Sequence, residues 1–168
     1  LKNQGKDVVI VAFDIVDPYF RTIDAEKLLT DNGIKVIAPQ FANSNIESPS
    51  LPADIYSVFT NKDCYVIFDV GGGEDGAIPL GRYFHQFMQE DIDVFFVLNQ
   101  RRLLTADLEG AVEAYNEIAA VCRIPITGII NNTHLKEYTT PEIILEGQEL
   151  AEKTSDELGL PIAYITGT

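Results

Sequence analysis

The chain is poor in three things. No apolar run in its 168 residues approaches the roughly 18 that a membrane-crossing helix needs, and no signal-peptide pattern opens it. A cytoplasmic protein that does not engage membrane is the expectation. Basic residues are scarce, 12 Lys and Arg against 26 Asp and Glu, a formal charge of −14. Such a surface repels phosphate backbones and anionic lipid, which excludes nucleic acid as a bulk electrostatic partner. It leaves room for one bound nucleotide, which needs only local donors and a metal. Cysteines number two, Cys64 and Cys122, in neither a CxxC nor a Cys/His cluster. They read as small buried hydrophobes in a reducing compartment rather than as a disulfide or metal site. No Ser/His/Asp spacing suggests nucleophilic catalysis. Asn131-Asn132-Thr133 matches a glycosylation acceptor but ends an apolar run in a chain without a signal.

What is present is alternation. Asp7 to Phe13 is a β-branched run, expected to be a strand buried on both faces. A helix from about Thr22 to Asn32, with Leu28 and Leu29 inward and Gly33 as its stop, leads to a short strand, Ile34 to Ala38. Residues 40–52, rich in Asn, Ser and Pro, read as irregular, and 53–59 as a short helix. The strand entered at Cys64 ends at Asp69, and a helix near Ala77 to Gln89 follows. Asp93 to Leu98 is the next strand. Thr105 is expected to cap a helix reaching Val121, with Leu108, Val112, Tyr115 and Ile118 or Ala119 on one face. Ile126 to Ile130 is a strand. Thr140-Pro141-Glu142 opens a helix running to Leu158 and stopped by Gly159, before a last strand, Ile162 to Ile165. With no repeat and no linker, this predicts one α/β domain spanning 1–168: a doubly wound, mainly parallel sheet in three layers, helices on both faces. Leu1 to Gln4 followed by Gly5 reads as the last turn of a helix, so an element upstream is expected.

The strands end alike. Cys64 to Asp69 is an apolar run that reaches a carboxylate and breaks into Gly71, Gly72 and Gly73. A core strand leaving through a glycine turn accounts for these residues too. Yet other strands also end in polar groups: Asp14, Asn99, Asn131 with Asn132, and Gly167 near the last. In open parallel sheets ligands sit beyond the carboxyl ends of the strands. Two acids there suit magnesium, the N–H groups of a glycine loop suit phosphate, and asparagine amides suit the edge of a base.

Residues 8–21 (Val-Val-Ile-Val-Ala-Phe-Asp-Ile-Val-Asp-Pro-Tyr-Phe-Arg), 66–72 (Val-Ile-Phe-Asp-Val-Gly-Gly) and 128–133 (Gly-Ile-Ile-Asn-Asn-Thr) together resemble the MinD/ParA-like P-loop NTPases. Among these the chain is similar to the CobQ/CobB/MinD/ParA nucleotide-binding domain proteins of bacteria, over nearly its whole length. The resemblance implies an ATPase that needs Mg2+ and ATP. It implies Asp14 as the first-switch acid that positions the attacking water near magnesium, and Asp69 as the Walker B acid that holds magnesium through a water. Gly71, with Gly72 beside it, would face the γ-phosphate. Asn131 would recognise adenine, with Asn132 its neighbour and Gly167 close to the base. Dimerisation around the nucleotide, or a protein partner that reads the switches, is common in that family.

Two departures qualify this. No Gly-Lys-Ser/Thr loop occurs in the sequence; Gly5-Lys6 is followed by Asp7. The expected place for that loop, with the first strand and most of the first helix, is upstream of Leu1. The second departure is Ala12, where the family often has an acid two residues before Asp14. Without the loop, triphosphate binding and turnover should be impaired. A non-catalytic α/β module with degenerate switches as an interaction surface is the alternative. A phosphohydrolase with Asp14 as nucleophile would want an acid at Val16. Arg101 and Arg102 follow a strand end and could meet phosphate. Arg21 and Arg82 read as solvated, His85 as packed, His134 as a loop residue, and Glu74 and Asp75 as switch acids or solvated loop.

Overall fold

A computed structural model of the chain describes residues 1–13, 22–38 and 55–167. It resolves into two compact units, Leu1–Pro79 and Leu80–Thr168.

In the first unit, the expected turn at the start is present. Lys2–Gln4 forms a 3-10 helix that Gly5 stops at φ 76°. β1 (Val8–Ala12) lies between β2 (Lys35–Ile37) and β3 (Tyr65–Asp69), parallel to both. The β-branched run packs because Val8, Val11, Ala12 and Phe13 are buried with Ile37. Ile55 and Val58 of α2 (Ile55–Thr60), both buried, also belong to this unit's core. The Phe68 ring meets Phe13 edge-on at 5.8 Å and Phe59 in a stack at 5.9 Å.

The helix expected from Thr22 begins as a 3-10 turn, Thr22–Ala25, and continues as α1 (Glu26–Asp31). Leu29 is half-buried and Leu28 is 66% exposed, because one residue of rotation carries Leu28 away from the half-buried side of so short a helix. The helix expected over 77–89 is broken into α3 (Gly73–Ala77), a 3-10 stretch at Ile78–Tyr83, and α4 (Phe84–Phe87). Pro79 offers no backbone N–H and Gly81 adds backbone freedom, so the i−4 ladder fails there.

In the second unit, β5 (Gly128–Asn131) lies between β4 (Phe95–Leu98) and β6 (Ile162–Ile165), again all parallel, with an irregularity between Ile129 and Ile130. α5 (Leu108–Cys122) and α6 (Pro141–Leu158) pack on it. Ala111, Leu150 and Ala151 close over Phe96, Leu98, Ile126 and Ile129, with Leu108, Tyr115, Ile118 and Ala119 against the same core. Thr140 caps α6 and Pro141 opens it, as expected, and Gly159 stops it in the left-handed conformation.

The cap of α5 is a correction. Asp107, not Thr105, accepts the hydrogen bond from Gly110 N at 2.9 Å, while the Thr105 hydroxyl donates to Asn99 O at 2.7 Å. Both residue types cap helices; the bond to the strand-end loop decides between them. The pattern of parallel strands with helices makes an α/β fold. The described strands pair as two three-stranded sheets, in which neither β3 nor β4 has a second strand neighbour.

Candidate functional site

At the end of β3 the backbone is committed to the sheet: Ala12 is the register partner of Asp69, and Phe13 N donates to Asp69 O at 2.7 Å. The side chain is half-buried and points to a different partner. Thr22, at the first position of its 3-10 turn, donates its hydroxyl to Asp69 Oδ2. Asp69 Oδ1 has no hydrogen-bond partner among the described residues.

The glycines follow at once. Gly72 is the extended residue before α3, and Gly73 takes φ 75°, a conformation in which most side chains are strained. A Cβ on Gly76 would run into the Gly71 backbone, so the loop closes this tightly only with glycine there. Among the described residues no backbone carbonyl accepts from the N–H of Gly71, Gly72 or Gly73. Glu74 and Asp75 are exposed in the first turn of α3. Free N–H donors beside a carboxylate are what a metal-bound phosphate would meet.

Asp14 follows Phe13 directly in the chain and lies outside the described residues, as does Arg21. Among the described residues no three His, Cys, Asp or Glu side chains are grouped to cage a metal ion. Magnesium does not require such a cage, since it keeps several waters and takes one or two carboxylates together with substrate phosphates.

The end of β5 is built differently. Asn131 is fully buried and every part of its side-chain amide is used. Nδ2 donates to Ile144 O and to Gln148 Oε1, both at 3.3 Å, and Oδ1 accepts from Thr133 N at 3.1 Å. Thr133 is buried against Gly147 of α6, where a Cβ would overlap it, and its Oγ1 accepts from Gln100 N at 3.1 Å. Asn132 is half-buried, and its Oδ1 accepts from the Thr166 hydroxyl at 2.5 Å. Thr166 N donates to Asn131 O at 2.9 Å, so β6 is tied to the same turn. Gly167 lies next in sequence, near the Ile144 side chain. The structure therefore brings Asn131, Asn132 and Thr166 together and turns the Asn131 amide inward.

The remaining side chains take ordinary places. Arg101 pairs with Glu146, and Asn99 Oδ1 accepts from Arg101 N at 2.9 Å. His85 packs edge-on to Phe84, and His134 Nδ1 accepts from Lys136 N. Both cysteines are free thiols, Cys122 buried and Cys64 half-buried. Glu142, in the first turn of α6, is held below the usual carboxylate range, first by its own backbone N–H and then by the Thr140 hydroxyl. Thr22, Gln148 and Thr166 carry much of this geometry and no motif marks them, while Thr133 closes the 128–133 stretch. Among the described residues no helix is long and apolar enough to cross a membrane.

No protein-family model matches the chain, and no curated protein matches it. Solved structures do. The chain is similar to the signal recognition particle receptor FtsY from Elizabethkingia anophelis, with TM-score 0.57 and 18% identity over 99% of this chain and 50% of that one. It is also similar to the same receptor in complex with GDP, with TM-score 0.53 and 16% identity over 98% of this chain and 49% of that one. The chain thus spans about half the length of the structures it matches. At this identity the likeness speaks to fold alone. The chain has an α/β fold like that of these receptor structures.

Proposed function

We propose that the chain is the greater part of a MinD/ParA-like nucleotide-binding domain, a magnesium-dependent, cytoplasmic ATPase when complete. The observation that carries this is the end of β3. A carboxylate there is held by a neutral hydroxyl and is followed by a glycine loop whose N–H groups no backbone carbonyl engages among the described residues, in a fold shared with FtsY. In this reading Asp69 would help hold magnesium, and Gly71 and Gly72 would offer backbone N–H donors to the phosphate. Magnesium, when bound, screens the phosphate charge. Asp14 would orient the attacking water. Asn132 and Gly167 border the base, while Asn131 shapes that border from within. A second copy or a protein partner would read the change at the switches.

The GDP complex of the FtsY neighbour favours a second reading, a guanine nucleotide in place of ATP. Ala12, in place of an acid, favours a third, a domain that binds without turnover.

Calorimetric titration of Mg-ATP and Mg-GTP into the 168-residue chain and into its natural full-length form tests this. The proposal expects binding by the full-length form, much weaker binding by the shorter chain, and tighter binding of ATP. Tighter GTP binding would select the guanine reading, and binding of neither would leave the interaction module.

A further inference from the structure

The Thr22 hydroxyl has no place in the sequence motifs, yet it reaches Asp69 from 47 residues away. We infer that Thr22 is a positioning residue for the Asp69 carboxylate, fixing which of its oxygens faces a magnesium-bound water. This rests on the magnesium-nucleotide reading above and adds to it a residue outside the resembled motifs.

Lone pairs and charge decide how the carboxylate is held. An ionised carboxylate at the end of a strand swings about its terminal torsion, which has broad wells. Its main chain cannot settle that rotation, because Asp69 O is already taken by Phe13 N and the register with Ala12 fixes only the backbone. A single donor on Oδ2 does settle it, leaving Oδ1 with no partner among the described residues. The donor is neutral. A Lys or Arg in its place would neutralise the carboxylate and compete with a cation, whereas a hydroxyl leaves the charge in place. Threonine is also β-branched, so its χ1 is stiff and the hydroxyl is presented in few directions. Carboxylates that serve metals are commonly held in this way by outer partners, whose loss costs about 10-fold to 100-fold in metal affinity. A purely mechanical reading, in which Thr22 only pins the 3-10 turn to β3, predicts a different outcome, and the test separates the two.

The test is a titration of MgCl2 against nucleotide binding in the full-length protein, using ATP or GTP, whichever binds, with a parallel measurement in EDTA. Thr22→Val, which keeps shape and removes the hydroxyl, should raise the magnesium concentration at half-saturation about tenfold. Binding in EDTA should not change, and Thr22→Ser should lie within about twofold of wild type on the same scale. In an Asp69→Asn background, Thr22→Val should add nothing to the magnesium dependence. A Thr22→Val protein with wild-type magnesium dependence would overturn the inference. So would a loss equal in EDTA and in magnesium, or a Thr22→Ser protein that behaves like Thr22→Val. If wild-type binding ignores magnesium, the functional reading itself fails, and this inference with it.

Discussion

The ends of β3 and β5 look alike in sequence, each an apolar run that stops at a short polar side chain, and they are opposites in structure. Asp69 is half-buried, accepts one hydroxyl and is followed by N–H groups that no backbone carbonyl engages among the described residues. Asn131 is fully buried and spends its whole amide on α6 and on the turn that follows it. A polar group with spare capacity can meet a ligand. One whose capacity is used internally specifies the fold instead, because leaving a buried donor or acceptor unmade is costly. On the function proposed above, the difference separates a chemical strand end from a structural one.

That contrast is open to attack by mutation. Asn131→Ala should produce the largest loss of stability, about 2 to 4 kcal/mol, since it empties a fully buried site, strands the buried Thr133 N and removes the part-buried bonds to Ile144 O and Gln148 Oε1. Chemical denaturation measures it, and a loss near zero would erase the contrast. Gly147→Ala should come next, at roughly 1 to 3 kcal/mol. Alanine is the better helix former, but the new Cβ overlaps Thr133, which is buried and already held by Gln100 N, so overpacking outweighs propensity.

Asp107→Ala should cost about 1 kcal/mol, the ordinary value of a helix cap, whereas Thr105→Ala should leave α5 in place. The smallest effect belongs to Glu142→Gln. The Glu142 carboxyl is held below its ordinary value of 4.5, so its stabilisation is complete above that value and disappears as pH falls through the lowered one. Wild type should therefore be slightly the more stable at neutral pH. The two proteins should converge in strong acid, as thermal midpoints measured across pH would record.

Most of the fold was legible because its signals are local. The β-branched run from Val8 to Ala12 is a strand in any context that buries it, and Thr140-Pro141 with Gly159 bracket α6 by backbone chemistry alone. Failures came where tertiary bonds choose between equal local options. Thr105 and Asp107 are both cap formers, and only the bond to Asn99 O takes Thr105 out of contention. Leu28 and Leu29 are equally apolar, and the placement of a six-residue helix decides which is half-buried and which exposed.

The candidate site was legible in part for the same reason. A carboxylate before three glycines can be read in the chain. The inward turn of the Asn131 amide cannot, because Gln148 and Ile144 arrive from a helix that only the fold brings near. Nor can Thr22, whose partner is distant in sequence.

The contrast rests on the end of β3 being chemical and not structural. The most direct measurement follows stability and magnesium-nucleotide affinity together in full-length protein carrying Asp69→Asn, which keeps an acceptor for Thr22 and removes the charge. The account predicts a stability change of about 1 kcal/mol or less. Affinity in magnesium should fall about tenfold or more, with no change in EDTA. A large loss of stability with unchanged magnesium-dependent affinity would contradict it and make Asp69 a second structural strand end.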